Sequence, residues 1–525
     1  MVEDLSMNPV ELSIFASKVS SIAEEMGAVL QRSAFSPNIR DRLDYSCAVF
    51  SPHGELCAQA AHIPVHLGSM AYAMQSVIDR FYWEEGDTLV LNDPFLGGTH
   101  LPDVTLLSPV FVNNAICGFV ANRAHHAHIG SDSPGSMPIS SSLYEEGLVI
   151  EPQMLARKDV LEQDVWQNIC AELGDGAETS GDFLAQLSAN RKGVTRISRL
   201  VSDIGKKLFL QGLDELNDYA EELARNSYLQ IPDGVYQARD LMDDDGQGNT
   251  DIPLVLGMEV SGSEITLDFS ASNSQVPGNI NCPISVVAAA VYYVFRCLLL
   301  DHAPACAGLF RPICIQVEEG SLLNARRPAA VSAGNVETSS RVVDLVIGAL
   351  SQAIPEKMPA DSQGTMNNLA MGHPGSHELP KWNYYETIAG GMGASNGRAG
   401  LSAVQSHMTN TFNTPVEVLE TNFPLRVSSY AIRRQSGGAG VYPGGDGLVR
   451  EYEFTKPAQV SLLTERRRHP PKGAFGGLPA SVGRNLLNGE LLPPKCELKV
   501  TAGDCLRIET PGGGGFGVAE KTKSD

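Results

Sequence analysis

The chain has 525 residues, 43% hydrophobic and 19% charged, with 51 glycines and 31 prolines. That is enough for a large core and two or more structural units, in a turn-rich composition that excludes a simple helical bundle. Its 39 basic and 61 acidic side chains leave a formal charge of -22, which repels phosphate backbones and anionic membranes and argues against nucleic acid as a partner.

The N-terminal stretch MVEDLSMNPVELSIF has neither the basic nor the apolar region of a signal peptide. Asn8-Pro9 with Glu11 marks a helix start, and Val10, Ile14, Val19, Ile22, Met26 and Leu30 recur at helical spacing. Tyr45 to Phe50 and Glu55 to Gln59 follow as strands around the turn Ser51-Pro52-His53-Gly54. Before them, Asp41 and Asp44 stand between Arg40 and Arg42. They form either a solvated charge cluster or a source of one inward carboxylate for a metal.

His62 and His66 flank Pro64 in a loop ahead of an expected helix over Ala71 to Tyr82. Pro64 argues against a helical metal pair, so these histidines line a pocket or are held by hydrogen bonds. The next stretch, Asn92 to Gly130, is the densest in chemistry. It carries His100 and Asp103 in a Gly-rich loop, then apolar runs over Val104 to Val112 and Ala115 to Ala121 around Asn113-Asn114, then His125, His126 and His128. Such a hairpin of buried strands returns His125 to His100 and Asp103, and imidazole with carboxylate is a donor set that divalent zinc, manganese or iron accepts. A polar cluster satisfied by hydrogen bonds is the alternative.

Residues 129 to 147 are polar and rich in Gly and Pro, as in an ordered functional loop or lid. Asp159 to Leu229 turns helical, with an apolar stripe through Ile197, Leu200, Ile204, Leu208 and Leu213. Strand alternation then takes over, which places a boundary near residue 230. The expected architecture is mixed α+β: a helical and hairpin part over 1–230 carrying the metal site, and a Gly-rich, β-containing part over 231–525. Asp243-Asp244-Asp245-Gly246 lacks the spacing and closing Glu of a calcium loop and reads as a turn between strands. Ile284 to Leu300, interrupted by Arg296, suits a core helix better than a membrane span. The ten cysteines include no CxxC pair, as expected of reduced thiols in the cytoplasm.

Several mechanisms find no support. There is no GxxxxGK[ST] loop, no GxSxG elbow and no HExxH helix, and Ser136 has no sequence-level partner marking it as a nucleophile. The tail PGGGGFG precedes no helix that would hold phosphate, which leaves flexible backbone or close packing. What survives is His100, Asp103 and His125, with Asp44 or Asp41 upstream.

The segments SPNIRDRLDYSCAVF, AAHIPVHLGSM, NDPFLGGTHLPDVTLLSPVF, ANRAHHAHIG and YEEGLVIEP resemble the hydantoinase B/oxoprolinase family. So do GNVETSSRVVDL, SQGTMNN, NTFNTPVEVLE, YPGGDGLVREYEF and TPGGGGFG. The resemblance implies one subunit, or one half, of an ATP-dependent enzyme that opens hydantoins, 5-oxoproline or lactams. A separate hydantoinase A type chain would bind ATP and phosphorylate the substrate, in a hetero-oligomer such as a heterotetramer. It implies His100, Asp103 and His125 as metal positions with an upstream Asp, and the family pattern favours Asp44 while leaving Asp41 open. Zinc is preferred over manganese. His126 and His128 are the candidates for moving protons, or for orienting His125. Related subunits occur in ketone carboxylases, so carboxylation is one alternative and a non-catalytic scaffold another.

Overall fold

The computed structural model describes residues 7–61, 63–174, 176–377 and 379–519. His62 lies outside them. The chain opens on the helix Pro9–Ser33, whose capping box is complete: Asn8 Oδ1 accepts from the N–H of Val10 and Glu11, and Glu11 Oε2 accepts from the N–H of Asn8, each at 3.0 Å.

Seven strands then build the first sheet: β1 (Tyr45–Phe50), β2 (Leu56–Ala61), β3 (Thr88–Leu91), β4 (Asp103–Val112), β5 (Ala115–His125), β6 (Gln153–Arg157) and β7 (Val160–Leu161). Their order is β2-β1-β5-β4-β3-β6-β7, antiparallel throughout. Asn113 and Asn114 both take positive φ, 52° and 59°, as a tight hairpin turn requires. Every residue of β1 is buried because both faces of the sheet are covered. Cys47 and Val49 pack with helices Pro9–Ser33 and Ala177–Ile204, whereas Ala48 and Phe50 pack with Met70, Met74 and Val77 of the helix Ser69–Val77. That last helix ends before Tyr82, where the sequence suggested it would, because the Trp83 indole N–H takes the Ile78 carbonyl at 3.0 Å and turns the chain toward β3.

The helix Lys206–Tyr228 leads to β8 (Gly234–Asp244), β9 (Thr250–Ser261), β10 (Glu264–Asp268) and β11 (Ile313–Gln316), ordered β11-β10-β9-β8. Asp245 Oδ1 accepts from the N–H of Gln247 and Asn249, so the acidic run ends β8 at Asp243 and Asp244 and opens the turn to β9 at Asp245. Helices Ile284–Cys297 and Ser339–Ala353 pack on each other, and the second lies on β8 and β9. Their core runs on into Val65 and Leu67 on one side and Tyr385 and Leu463 on the other, crossing residue 230.

The remaining strands are β12 (Asn368–His373), β13 (Trp382–Glu386), β14 (Leu425–Arg433), β15 (Gly447–Phe454), β16 (Ala458–Leu463), β17 (Arg484–Leu487), β18 (Glu490–Leu491), β19 (Lys495–Val500) and β20 (Cys505–Glu509). They form two sheets, β13-β12-β16-β19 and β14-β15-β20-β17-β18. The Gly-rich tail is tightly packed: a Cβ at Gly513 would stand 2.1 Å from the Met392 carbonyl oxygen. Mixed α+β architecture is therefore observed. Among the described residues no cysteine is in a disulfide, and no helix is long and apolar enough to cross a membrane.

Candidate metal centre

Strand register assembles the site. In β4 and β5, Asp103 pairs directly with His125, and in β1 and β5, Tyr45 pairs with Ala124. The residue before β1, Asp44, therefore lies beside His125, whose N–H donates to the Asp44 carbonyl at 3.0 Å. Three strand ends thus present Asp44, His125 and Asp103 in a row. His100 completes the approach from the turn ahead of β4, where the Asp103 N–H donates to the His100 carbonyl at 3.1 Å.

The side-chain atoms converge. His100 Nε2 lies 3.3 Å from His125 Nδ1 and 3.4 Å from Asp103 Oδ2, and His125 Nδ1 lies 3.3 Å from Asp103 Oδ1. Donors bound tetrahedrally at about 2.0–2.1 Å stand roughly 3.3–3.4 Å apart, so this spacing fits a zinc-sized cation between them. His100, Asp103 and His125 are 1%, 1% and 2% exposed, and His100 Nδ1, His125 Nε2 and Asp103 Oδ1 have no hydrogen-bond partner. An unpartnered buried acceptor is costly, and a cation between the converging atoms would engage Asp103 Oδ1, whereas His100 Nδ1 and His125 Nε2 are the ring nitrogens turned away from that point. Burial opposes ionisation of Asp103, yet the facing imidazoles of His100 and His66 hold its carboxyl well below the usual range. Burial likewise opposes charge on His100, but Asp103 raises it above the ordinary imidazole value.

His66 belongs to this set, and the sequence left it as a pocket or structural residue. The short 3-10 turn Pro64–His66 delivers it after β2, with Nδ1 3.1 Å from Ser46 Oγ and Nε2 3.3 Å from Asp103 Oδ2. Asp44, His66 and Asp103 form a second group of close donors that shares Asp103 with the first. The Thr99 hydroxyl also donates to Asp103 Oδ2. Arg123, two residues before His125 and on the same face, donates to Thr105 Oγ1 at 2.8 Å and Ser69 Oγ at 2.7 Å. From β13, the Tyr385 ring stacks on His125 at 4.9 Å and 12°, while its hydroxyl donates to Asn368 Oδ1 at 2.6 Å.

Other expected residues fall elsewhere. Asp41 pairs with its neighbour Arg40 at 2.9 Å on the surface side of the turn, so Asp44 is the upstream carboxylate at the cluster. His126 follows His125 and therefore faces the opposite side of the sheet, where Nε2 meets Gln186 Oε1 at 2.9 Å and the ring meets Phe183. Burial there lowers its pKa. The proton-moving role expected of His126 does not match that position. His128 sits in the following loop with Nδ1 3.3 Å from Ser136 Oγ, and burial with nearby Lys381 pushes it down to about 4. Ser136 Oγ already accepts from the Ile129 and Ser131 N–H groups, which makes the contact a loop fastening. A third carboxylate group, Asp240, Asp344 and Asp361, is filled by the Arg466 guanidinium, whose Nη2 lies 3.0, 2.6 and 3.3 Å from them.

The hydantoinase B/oxoprolinase family model matches residues 8–519. A 5-oxoprolinase of Arabidopsis thaliana, 5-oxoprolinase 1, is 38% identical over 97% of this chain, which spans 42% of that relative's length. The 5-oxoprolinase of Dictyostelium discoideum is 37% identical over 99% of this chain, which spans 41% of its length. A protein of Pseudomonas sp. strain NS671, named for the B-type half of a D-/L-hydantoinase, is 29% identical over 97% of this chain and 90% of its own. The crystal structure of the ATP-dependent caprolactamase from Pseudomonas jessenii shares the fold with a TM-score of 0.91 and 26% identity, covering 98% of this chain and 92% of that one.

Proposed function

The chain belongs to the hydantoinase B/oxoprolinase family, and from that premise we propose that it is the metal-bearing subunit of an ATP-dependent cyclic amide hydrolase. The observation that carries this reading is the convergence of the buried His100, Asp103 and His125 side chains, with Nε2, Nδ1 and the carboxylate oxygens 3.3–3.4 Å apart and Asp103 Oδ1 without a hydrogen-bond partner. Asp44 stands ready as the further carboxylate. A divalent ion bound there, zinc in preference to manganese, would acidify a water toward neutrality and offset the charge of a tetrahedral oxyanion.

The protein's own groups prepare that chemistry. His66 and Thr99 fix the Asp103 carboxylate, and the Ser46 hydroxyl fixes His66 in turn. Tyr385 closes the His125 side against water. The amide itself needs prior activation, because resonance makes a neutral amide carbonyl a poor electrophile. The sequence has no phosphate-binding loop, so a hydantoinase A type partner would transfer the ATP γ-phosphoryl group to the amide oxygen. Water then adds to the activated carbon, the ring C–N bond breaks with the nitrogen taking a proton to leave an acyl phosphate, and a second water releases phosphate and the free carboxylate. Cysteines outside disulfides suit a cytoplasmic location.

The test is co-expression with an A-type chain, followed by incubation with hydantoin, 5-oxoproline and caprolactam. The expected result is a ring-opened product, heavier by one water, formed only with ATP and with matching ADP. Incorporation of labelled bicarbonate into a ketone would assign a carboxylase instead. Full turnover without any bound metal would remove the metal from the reading.

A further inference from the structure

Arg42 holds a buried charge without a counter-ion. Its side chain is fully enclosed, and among the described residues no carboxylate oxygen comes within 4.0 Å of its guanidinium. Nη1 donates to the Tyr385 carbonyl at 2.8 Å and to Asn38 Oδ1 at 3.4 Å, Nη2 reaches Thr387 Oγ1 and Thr411 Oγ1 only at 3.4 and 3.5 Å, and Nε has no partner. Glu386, next in the chain to Tyr385, is engaged by Arg450, Tyr384 and Asn413. The guanidinium also lies over the Tyr385 ring, Cζ 4.7 Å from its centroid, but an enclosed cation whose neighbours are a ring face and neutral polar groups is costly and attracts an anion.

The hydroxyls in front of Arg42 lead to a cavity. Gln405 Nε2 donates to Thr387 Oγ1 at 3.3 Å, and Thr409 Oγ1 lies 3.5 Å from Thr411 Oγ1. Gln405 and Thr409 in turn line a cavity of about 370 Å³ whose body is apolar, with Val294, Leu298, Ile347 and Met358. That size suits a small ring compound. In a chain of charge -22, no Asp or Glu lines this cavity and Lys357 does. Pro64, which opens the turn carrying His66, also lines it. The cavity therefore abuts the turn that carries His66. The Gln405 amide nitrogen is held by the Thr387 carbonyl and hydroxyl, and its oxygen is unpartnered.

We propose that this cavity is the substrate site for a ring-bearing organic anion. The ring lies on Val294, Leu298, Ile347 and Met358, and the oxyanion lies at the Gln405–Thr409 end, where Arg42 supplies positive charge through Thr387 and Thr411. The inference rests on the cyclic amide reading and deepens it. The oxyanion is either the phosphoryl group of the activated amide or a carboxylate that the amide itself bears.

Calorimetric titration of the purified chain with inorganic phosphate, 5-oxoprolinate and neutral caprolactam tests this. At least one of the two anions should bind, Arg42→Met should weaken it tenfold or more, and Arg42→Lys should recover part of the loss. Ile347→Trp should abolish binding by filling the cavity, with metal content unchanged. Binding of phosphate alone assigns the phosphoryl source, and binding of 5-oxoprolinate alone assigns the carboxylate. If Arg42→Met does not fold, the pair Thr387→Val and Thr411→Val, together with Ile347→Trp, decides the matter. The proposal is overturned if neither anion binds, or if anion affinity is indifferent to these variants. Ring opening by a complex whose anion affinity ignores Arg42 removes the cavity and keeps the activity. Arg42-dependent anion binding in a complex that opens no ring does the reverse.

Discussion

Asp103 and His125 are directly opposed across the last pair of the β4–β5 hairpin, with Asp103 Oδ1 3.3 Å from His125 Nδ1. Their spacing is set by strand geometry rather than by flexible loops, and Asp44 is fixed beside them by the neighbouring strand. A donor set mounted on strand ends keeps its shape without an ion, so removal of any one donor should act on binding before it acts on folding.

His100→Ala and Asp103→Asn should each lower metal affinity by more than the roughly 10–100-fold seen for residues that only support ligands. Metal analysis of purified protein should show near-stoichiometric zinc in the wild type and little in either variant. Retained stoichiometric metal in both would dissolve the centre as described.

His66→Ala should be milder, since His66 holds Asp103 Oδ2 from behind while Thr99 still donates to the same oxygen. A drop of about 10–100-fold in metal affinity is expected. Titration against a chelator of known strength measures it, and a loss as large as that of His100→Ala would make His66 a direct ligand.

Much of this centre was legible in the sequence because its logic is local. Asn113-Asn114 between two apolar runs specifies a hairpin, and a hairpin returns His125 to Asp103. The same alternation that buries His125 with Asp103 sends His126 to the helix Ala177–Ile204, so strand parity alone separates the two histidines. The choice between Asp41 and Asp44 was not local. It depends on Tyr45 pairing with Ala124, a register set across about eighty intervening residues. His66 was masked by Pro64, which argued correctly against a helix but did not show that a 3-10 turn would aim the ring at Asp103. Tyr385 and Arg42 meet only through folding of the distant β13 strand onto the first sheet, and no short-range pattern encodes that.

His126→Ala should behave as a core lesion. Gln186 Oε1 loses its partner while Gln186 Nε2 remains bound to the Val104 carbonyl and Asn122 Oδ1. The loss should be about 1–3 kcal/mol of stability, read as a lower melting temperature with metal content and turnover per folded chain unchanged. Loss of turnover at full metal content would restore a chemical role for this ring.

Glu146 gives a pH signature. Burial raises its carboxyl to about 7 despite hydrogen bonds to Oε1 from the Ser140 hydroxyl and the Val331 and Ser332 N–H groups. In the unfolded chain it ionises near its ordinary 4.5, so the native state binds the extra proton between those values. Its contribution to stability is therefore lost as pH rises from about 4.5 to about 7, up to about 3 kcal/mol. Glu146→Gln should gain melting temperature relative to wild type as pH increases through that window. A gap that stays constant from pH 5 to pH 8 would contradict the raised carboxyl.

Tyr385 separates packing from hydrogen bonding at the lid of the cluster. Tyr385→Phe keeps the ring stacked on His125 and removes only the 2.6 Å bond to Asn368 Oδ1, a change of about 1 kcal/mol with an unpaired Asn368 oxygen as its main cost. Tyr385→Ala also removes the wall over His125 and should cost about 3–5 kcal/mol. The two variants should therefore differ in kinetics more than in ligand set: both bind metal, but the alanine variant should release it to a chelator much faster because water reaches His125 directly. Equal release rates for wild type and Tyr385→Ala would mean that access to the cluster runs by another face, and the wall assigned to β13 would lose its role in shielding the site.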